Sequence, residues 1–409
     1  MALTPVRCAV ERFGKAGEGH RFYPGPIVCG GDVLPGPVQM AVADRPVGLK
    51  DRFLWKAGAD DWMTGRSSLA IPVHSIRNDG VEESLSRLAE DFRISHGLLT
   101  ETGVLYAFSG QAESARVRLL LDEVFGRSNF LNEIIWAQPA GLKPQGRFTR
   151  SHQTIFLYRK GKKAYFNASA AGRARGRLKS HMRREEEGGR AYYTQEARGK
   201  VYRYYEDDLV SIGDVWSDIP EISARDEERT GWEGQRPEAL LSRMIAASTA
   251  PGHMVLDLSC GGATVAAATQ TLGRRVLAVG SHPSERLLAR RRLLLAGAQN
   301  IELLGSCGQS DIQPEAAASL ADGMAFLELY HRSASHPKSA GTLLEDGLGS
   351  LEYWAAGRYA DGVFTVNSWA MRTRQQPNLA KQLPVGDGFG KPCIHLVDAS
   401  GEQWFYIID

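Results

Sequence analysis

At 409 residues, with 43% hydrophobic and 23% charged side chains, the chain is long enough to bury a large core in two or three domains, which excludes a wholly disordered protein. Its formal net charge of +2 excludes a uniformly basic one, so affinity for a polyanion has to come from local clustering. Cys8, Cys29, Cys260, Cys307 and Cys393 stand without CxxC spacing; neither a metal site nor a disulfide framework is expected, and a reducing cytoplasm fits. The N-terminal residues carry charges inside any apolar stretch, and no run approaches the roughly 18 apolar residues that span a bilayer. The expectation is a cytoplasmic protein without secretion signal or membrane segment.

Residues 27–47 read as strand, turn and strand: Ile27-Val28-Cys29, then Gly30-Gly31-Asp32, then Val38–Ala43 running up to Asp44. A short apolar run that stops at a polar residue is the pattern of a buried parallel strand, and ligands in open α/β sheets sit beyond the carboxyl ends of such strands. Asp44 is therefore placed at a site. Val81–Ile94 carries Leu85, Leu88, Ala89 and Phe92 at helical spacing, Gly103–Phe108 follows as a strand, and Ala112–Phe125 is a second amphipathic helix. This alternation predicts a doubly wound, mostly parallel α/β sheet.

From Gln138 to about Tyr204 the composition turns to Gly, Lys and Arg. Between Lys143 and Arg203 there are seventeen Lys/Arg against four acids, interleaved with Phe148, Phe156, Tyr158, Tyr165, Phe166, Tyr192, Tyr193 and Tyr202. A basic stripe with aromatics is the electrostatic footprint of a nucleic-acid-binding insert. Lys143, Arg147, Arg150, His152, Lys160, Arg173, Arg175 and Arg177 are its candidate contacts. The alternative is a solvated surface whose aromatics form a small core of their own.

Residues 235–305 return to α/β rhythm: helix Pro237–Ala250, strand His253–Asp257, a glycine turn, helix Thr264–Leu272, strand Arg275–Val279 and helix Ser284–Leu295. Beyond Ser306 that rhythm fades, and strands are expected at Gly362–Val366, Cys393–Val397 and Trp404–Ile408. The expected divisions are an N-terminal half of the main fold over 1–137, the basic insert over 138–213, a second half over 214–305 and a small, mostly β accessory domain over 306–409.

Five segments in fixed order carry a resemblance: Leu119–Trp136 (LLLDEVFGRSNFLNEIIW), Arg147–Tyr158 (RFTRSHQTIFLY), Asp214–Pro220 (DVWSDIP), Glu228–Leu241 (ERTGWEGQRPEALL) and Val255–Thr264 (VLDLSCGGAT). With Asp44-Arg45-Pro46-Val47 they resemble bacterial DNA amino-methyltransferases of the N6-adenine and N4-cytosine class, in which the catalytic motif precedes the recognition insert and the cofactor motif follows it. The resemblance covers about residues 25–300. It implies an S-adenosylmethionine-dependent methyltransferase fold, duplex DNA as partner, and a homodimer or a heterodimer with an intact paralogue. It also implies catalytic positions at Asp44 and Pro46 and cofactor positions at Asp257, Cys260, Gly261 and Thr264.

The sequence departs from that pattern where the chemistry sits. The family's Asp-Pro-Pro-aromatic loop grips the exocyclic amine and stacks the extruded base; here Arg45 replaces the first Pro, and Val47 offers no aromatic face. Arg45 also brings a cation that could occupy the Asp44 carboxylate. In the cofactor turn Ser259 replaces Phe, and Ala263 replaces a Gly whose lack of Cβ permits close approach or positive φ. Gly280-Ser281-His282 stands where an acid for the ribose is expected, with no carboxylate before Glu285, and Gly234-Gln235-Arg236-Pro237 lacks the hydroxyl of Thr-Gln-Lys-Pro. The expected function is a DNA-binding, catalytically silent homologue serving as a recognition or partner subunit in a modification, defence or regulatory complex; S-adenosylmethionine is the cofactor if it is active, and with these changes combined the expectation extends to no cofactor at all. The alternatives are a working methyltransferase with an atypical site and a protein scaffold without DNA contact. Asp44 could instead serve only to end a strand, Asp257 and Gly261 only to fold a turn, Cys260 as a small buried hydrophobe, and His152 as a structural hydrogen-bonding residue.

Overall fold

The computed structural model describes the chain except residues 1–2, 26–36, 46–53, 58–68, 73–79, 139–144, 179–181, 211, 306–308, 310, 312, 332–347, 349–350, 374 and 409. The expected strand at 27–29 with its Gly30-Gly31-Asp32 turn lies outside the described residues, as do Pro46, Val47, Lys143, Cys29 and Cys307.

One sheet organises the chain. Its strands are β1 (Leu3–Val6), β2 (Val10–Phe13), β3 (His20–Pro24), β4 (Val38–Ala43), β5 (Leu99–Ser109), β6 (Phe130–Ala137), β7 (His152–Arg159), β8 (Val215–Trp216), β9 (Met254–Asp257), β10 (Arg275–Gly280), β11 (Ile301–Leu304), β12 (Leu351–Ala360), β13 (Val363–Met371), β14 (Lys391–Asp398) and β15 (Gln403–Ile408). Their spatial order is β1-β15-β14-β12-β13-β2-β11-β3-β10-β9-β4-β5-β7-β6-β8. The block β11-β3-β10-β9-β4-β5 is parallel throughout. Parallel strands need both faces covered, and their side chains comply: β4 and β9 are buried along their whole length.

The covering helices are α1 (Val81–Leu98), α2 (Ser114–Phe125), α3 (Glu238–Ser248), α4 (Thr264–Thr271) and α5 (Pro283–Leu295). Leu85, Leu88 and Phe92 of α1 and Val117 and Leu121 of α2 form one apolar stripe each and pack on the sheet face that carries Ala41, Leu105 and Leu256. Leu240 and Met244 of α3, Val265 of α4 and Leu288 of α5 pack on the opposite face with Met40, Val42 and Val255. Burial at alternate positions of β4 thus splits between two helical layers, the doubly wound architecture expected. The helix at Pro237 starts one residue later than expected, with Pro237 as its N-cap.

The β-rich C-terminal region is continuous with this sheet. The N-terminal strand β2 supplies the reason: it pairs with β11 on one side and with β13 on the other, so its two edges join the α/β block to β12–β15. A polar cluster locks the joint. Glu11, fully buried on β2, accepts hydrogen bonds from Arg290 on α5 (Nε to Oε1, 3.0 Å) and contacts His395 Nδ1 on β14 (3.1 Å). His395 Nε2 lies 2.9 Å from Gln403 Oε1 on β15, and the imidazole stacks on Phe405 with 3.9 Å between ring centres. A buried carboxylate left without these partners would cost several kcal/mol. A second apolar core under the C-terminal strands includes Trp354, Leu383, Leu396 and Trp404.

Burial lowers the His395 pKa to about 4 from 6.5, whereas burial raises the Glu11 carboxyl but Arg290 and His395 outweigh it and hold it far below the carboxylate range. Between pH 6.5 and 4.5 the unfolded chain therefore protonates His395 and the folded chain does not, so the imidazole's contribution to stability is lost as pH falls through that window. The gap in melting midpoint between the unaltered protein and a His395→Asn variant is expected to be widest at pH 7 and to narrow toward pH 4.5. A gap independent of pH would show that the imidazole titrates normally.

Candidate active site

Parallel pairing of β4 with β9 sets Asp257 opposite Val42, so Asp44, two residues on, and Asp257 leave neighbouring strands at the same end. Leu258 N–H donates to the Val42 carbonyl (3.2 Å), and Asp44 N–H donates to Ser259 Oγ (3.3 Å). The hydroxyl in the family's Phe position thus ties the two strand ends together. A cavity of about 650 Å³ opens there, lined among others by Asp44, Trp232, Arg236, Asp257, Gly261 and Glu285. Its volume lies in the range of small-molecule sites. The candidate catalytic Asp44 and the candidate cofactor residues Asp257, Cys260, Gly261 and Thr264 all line it.

Asp44 is taken. Arg236, just before α3, donates Nε to Oδ2 and Nη2 to Oδ1, both at 2.7 Å, in a bidentate pair. Its Nη1 donates to Gln153 Oε1 on β7 (2.5 Å), and the guanidinium lies over Phe108 (4.7 Å) and Trp136 (5.9 Å). The expected blocker, Arg45, points elsewhere: it pairs with Asp91 on α1, Nε to Oδ2 at 2.7 Å. Asp91 is mostly buried on the helix face over the strand end, so Arg45 satisfies it there. Arg236 stands in the basic position of the helix-start motif, and only the fold shows that its fork reaches Asp44.

Asp257 has the opposite problem. It is 1% exposed; Oδ1 accepts the Ser259 N–H at 3.3 Å, and Oδ2 has no hydrogen-bond partner among the described residues. Burial, with the Asp44 and Glu285 charges beside it, raises its pKa to about 7. Glu285 comes from the first turn of α5 and lies against the residues that follow β10. Its Oε1 accepts Gly261 N–H (3.0 Å) and its Oε2 accepts Ser281 and His282 N–H (2.8 and 2.9 Å). The His282/Glu285 capping box and Pro283 at the helix start fix that side chain. Burial raises its pKa too.

The glycine turn is crowded from above. A Cβ on Gly261 would lie 2.9 Å from Trp232 Nε1, and one on Gly262 about as close to Gln235, Thr230 and Trp232; the segment 228–236 packs directly on backbone. Gln235 is held within that segment, accepting from Thr230 N–H and donating to the Glu228 carbonyl, both at 2.7 Å. Ala263 adopts φ +56°, the left-handed conformation that the family's glycine would take without strain. Thr264 Oγ1 accepts from Arg292 (3.2 Å). Cys260 is buried and its thiol is pushed well above its usual pKa by burial, which suits a packed hydrophobe rather than a nucleophile.

The basic insert divides in two. Its three-stranded meander, Arg184–Glu187, Arg190–Ala197 and Lys200–Tyr205, neutralises much of its own charge. Arg184 pairs with Glu206 (2.9 Å), Arg190 with Asp207 (2.7 Å) and Arg203 with Glu187 (2.7 Å). Arg175 donates to the Tyr205 carbonyl and lies 3.7 Å from Asp208. Glu206, Asp207 and Asp208 follow immediately after the stretch counted as basic, so the sequence excess overstates the free charge. Arg177 is exposed, and the Arg173 side chain is outside the description. Lys160 separates from the other candidates: β7 runs antiparallel to β5, so it carries Lys160 to the edge opposite Asp44, roughly 25 Å from His152. There its ammonium donates to the Leu99 carbonyl at 2.6 Å. His152 is half-buried beside Gln111, whose Nε2 lies 3.1 Å from its ring.

Two adjacent parallel strand ends, each bearing an aspartate, with a glycine turn after one of them, define a methyltransferase-type site. The DNA methylase family profile matches residues 38–290, more than half the chain, and the chain belongs to that family. A segment of 92 residues is 35% identical to the DNA adenine methyltransferase YhdJ of Escherichia coli (strain K12), covering 22% of this chain and 31% of that protein. Another of 105 residues is 32% identical to the type II methyltransferase M2.DpnII of Streptococcus pneumoniae, covering 23% and 37%. The chain therefore spans about a third of the length of each of these curated relatives. Among solved structures, the PvuII cytosine-N4-specific DNA methyltransferase is similar at 11% identity and TM-score 0.44, over 71% of this chain and 90% of that one. A putative DNA modification methylase of Thermus thermophilus, TTHA0409, is similar at 19% and 0.40, over 70% and 99%. Among the described residues no helix is long and apolar enough to cross a membrane, and no group of His, Cys, Asp and Glu could hold a metal ion.

Substitutions at Arg236, Asp44 and Asp257 test the electrostatics. Arg236→Met strands the Asp44 carboxylate and is expected to cost about 1–3 kcal/mol in urea unfolding, part of which Asp44→Asn recovers in the double variant; strictly additive losses would mean the pair is not coupled. Because the Asp257 pKa is raised, its charged form opposes folding above pH 4 and fully so above pH 7. Asp257→Asn is therefore expected to gain stability relative to the unaltered protein as pH rises from 4 to 8, by roughly 2–4 kcal/mol at most. A constant difference across that range would place the Asp257 pKa near normal.

Proposed function

We propose that this chain is a DNA-binding member of the amino-methyltransferase family that does not transfer methyl groups and that serves as a recognition or partner subunit beside an intact enzyme, as a homodimer or a heterodimer. The observation that carries this reading is the bidentate Arg236–Asp44 pair. A carboxylate whose two oxygens are both engaged by a guanidinium has lost its best acceptor directions for a base amine, and Val47 stands where the base-stacking aromatic belongs.

The cofactor half supports a narrower loss. The cavity volume and the unpartnered Asp257 Oδ2 fit an S-adenosylmethionine-like ligand, with Asp257 offering the acceptor. In working relatives that cofactor supplies the methyl group. Here the residues would bind and orient it, while Arg236 keeps Asp44 from a base.

Methylation-sensitive sequencing of DNA from a host expressing the chain, compared with an Asp44→Ala strain, is expected to give identical profiles. Marks that vanish with Asp44→Ala would establish a working enzyme instead. In calorimetry, S-adenosylmethionine is expected to bind, and more weakly to Asp257→Ala; no heat at millimolar ligand would extend the loss to the cofactor site. Binding of duplex DNA that falls steeply with added salt is expected, and no binding at low salt would favour the scaffold alternative.

A further inference from the structure

Part of the free positive charge of the basic stretch lies in one short loop beside the cavity, apart from the exposed Lys162, Lys163, Arg183, Arg198 and Lys200 further along the insert. Residues 138–151 connect β6 to β7, and the hairpin is closed by Gln138 N–H donating to the Ser151 carbonyl (2.7 Å) and by pairing of Ala137 with His152. Two residues beyond that closure, Gln153 holds Arg236, the guanidinium seated on Asp44. Residues 145–151, the described part of the connection, therefore lie at the same end of the sheet as the cavity. Arg147 and Arg150 are exposed there and make no ion pair among the described residues, unlike Arg184, Arg190 and Arg203. Between them Phe148 is 98% exposed.

A phenyl ring held almost wholly in water gains nothing for the fold. Set between two unpaired guanidinium groups, it matches a partner that offers phosphates and flat aromatic faces together: cations meet the backbone and the ring stacks on a base. We infer that the 145–151 loop is the nucleic-acid contact beside the cavity, with Phe148 stacking on a nucleobase of bound DNA and Arg147 and Arg150 on its phosphates. This rests on the DNA-binding reading above. It assigns the meander's paired arginines to folding, and it gives the chain an aromatic base platform outside the degenerate catalytic loop, where Val47 cannot supply one.

The test uses the full chain and a duplex of about 20 base pairs carrying one 2-aminopurine, read by anisotropy and by 2-aminopurine emission at low salt. Phe148→Ala is expected to weaken binding roughly tenfold and to alter the emission change, and Phe148→Leu to do the same because bulk without a π-face does not stack. Phe148→Trp is expected to retain affinity and to show tryptophan quenching by DNA. Arg147→Gln and Arg150→Gln are each expected to reduce the salt slope by about one. Thermal melts should be unchanged in all of them, since the side chains are exposed. Unaltered protein that fails to bind at low salt would overturn this inference together with the DNA-binding reading. Binding that Phe148→Ala leaves within twofold, with unchanged emission, would overturn the inference alone.

Discussion

Two aspartates end adjacent parallel strands, and the rest of the site is arranged around the cost of that placement. Register puts the Asp44 and Asp257 carboxylates at one sheet end, in a setting where uncompensated negative charge is expensive. The chain solves the problem differently for each. Arg236 reaches Asp44 in a fork; Asp257 has no cation in contact among the described residues and shifts toward its neutral form, with a raised pKa. A third carboxylate, Glu285, joins them because backbone N–H groups of the glycine turn and the α5 start converge on it.

The proposed function rests on this division: the Arg236 fork engages both Asp44 oxygens, whereas the cavity reaches Asp257, whose Oδ2 has no hydrogen-bond partner among the described residues. The segment that carries Arg236 also carries Trp232 and Gln235, which pack on the glycine turn. One stretch, 228–236, thereby packs against both halves.

The C-terminal region is attached by the same kind of logic. Strand β2 has hydrogen-bonding edges on both sides and uses one for the α/β block and the other for β13, leaving no exposed edge between them. Glu11 at that joint takes partners from α5 and β14, and Gln403 of β15 holds His395 in turn, so the region is anchored through a buried charge network as well as through backbone pairing. Anchoring of this sort suits an extension that adds surface to a fixed body.

Much of this was legible in the sequence. Apolar runs ending at Asp44 and Asp257 announced buried strands with carboxylates at their ends, Leu85, Leu88 and Phe92 announced a helix, and the order of motifs announced the family, because each of these signals is local in the chain. Arg45 beside Asp44 was the natural candidate to occupy it, and the wrong one; neighbours in sequence need not share a side of the strand end, and Asp91 claimed the guanidinium. The actual partner lies 192 residues away. Likewise the charge of Arg184 and Arg190 was visible while its cancellation by Glu206 and Asp207 was not, and Lys160 looked like its neighbours until strand direction carried it to the far edge. The sequence by itself determined the strands, the helices, the motif positions and the family, since periodicity and spacing act over a few residues. Only the tertiary structure decided which charges meet, because that depends on strand order and register between segments that the chain keeps far apart.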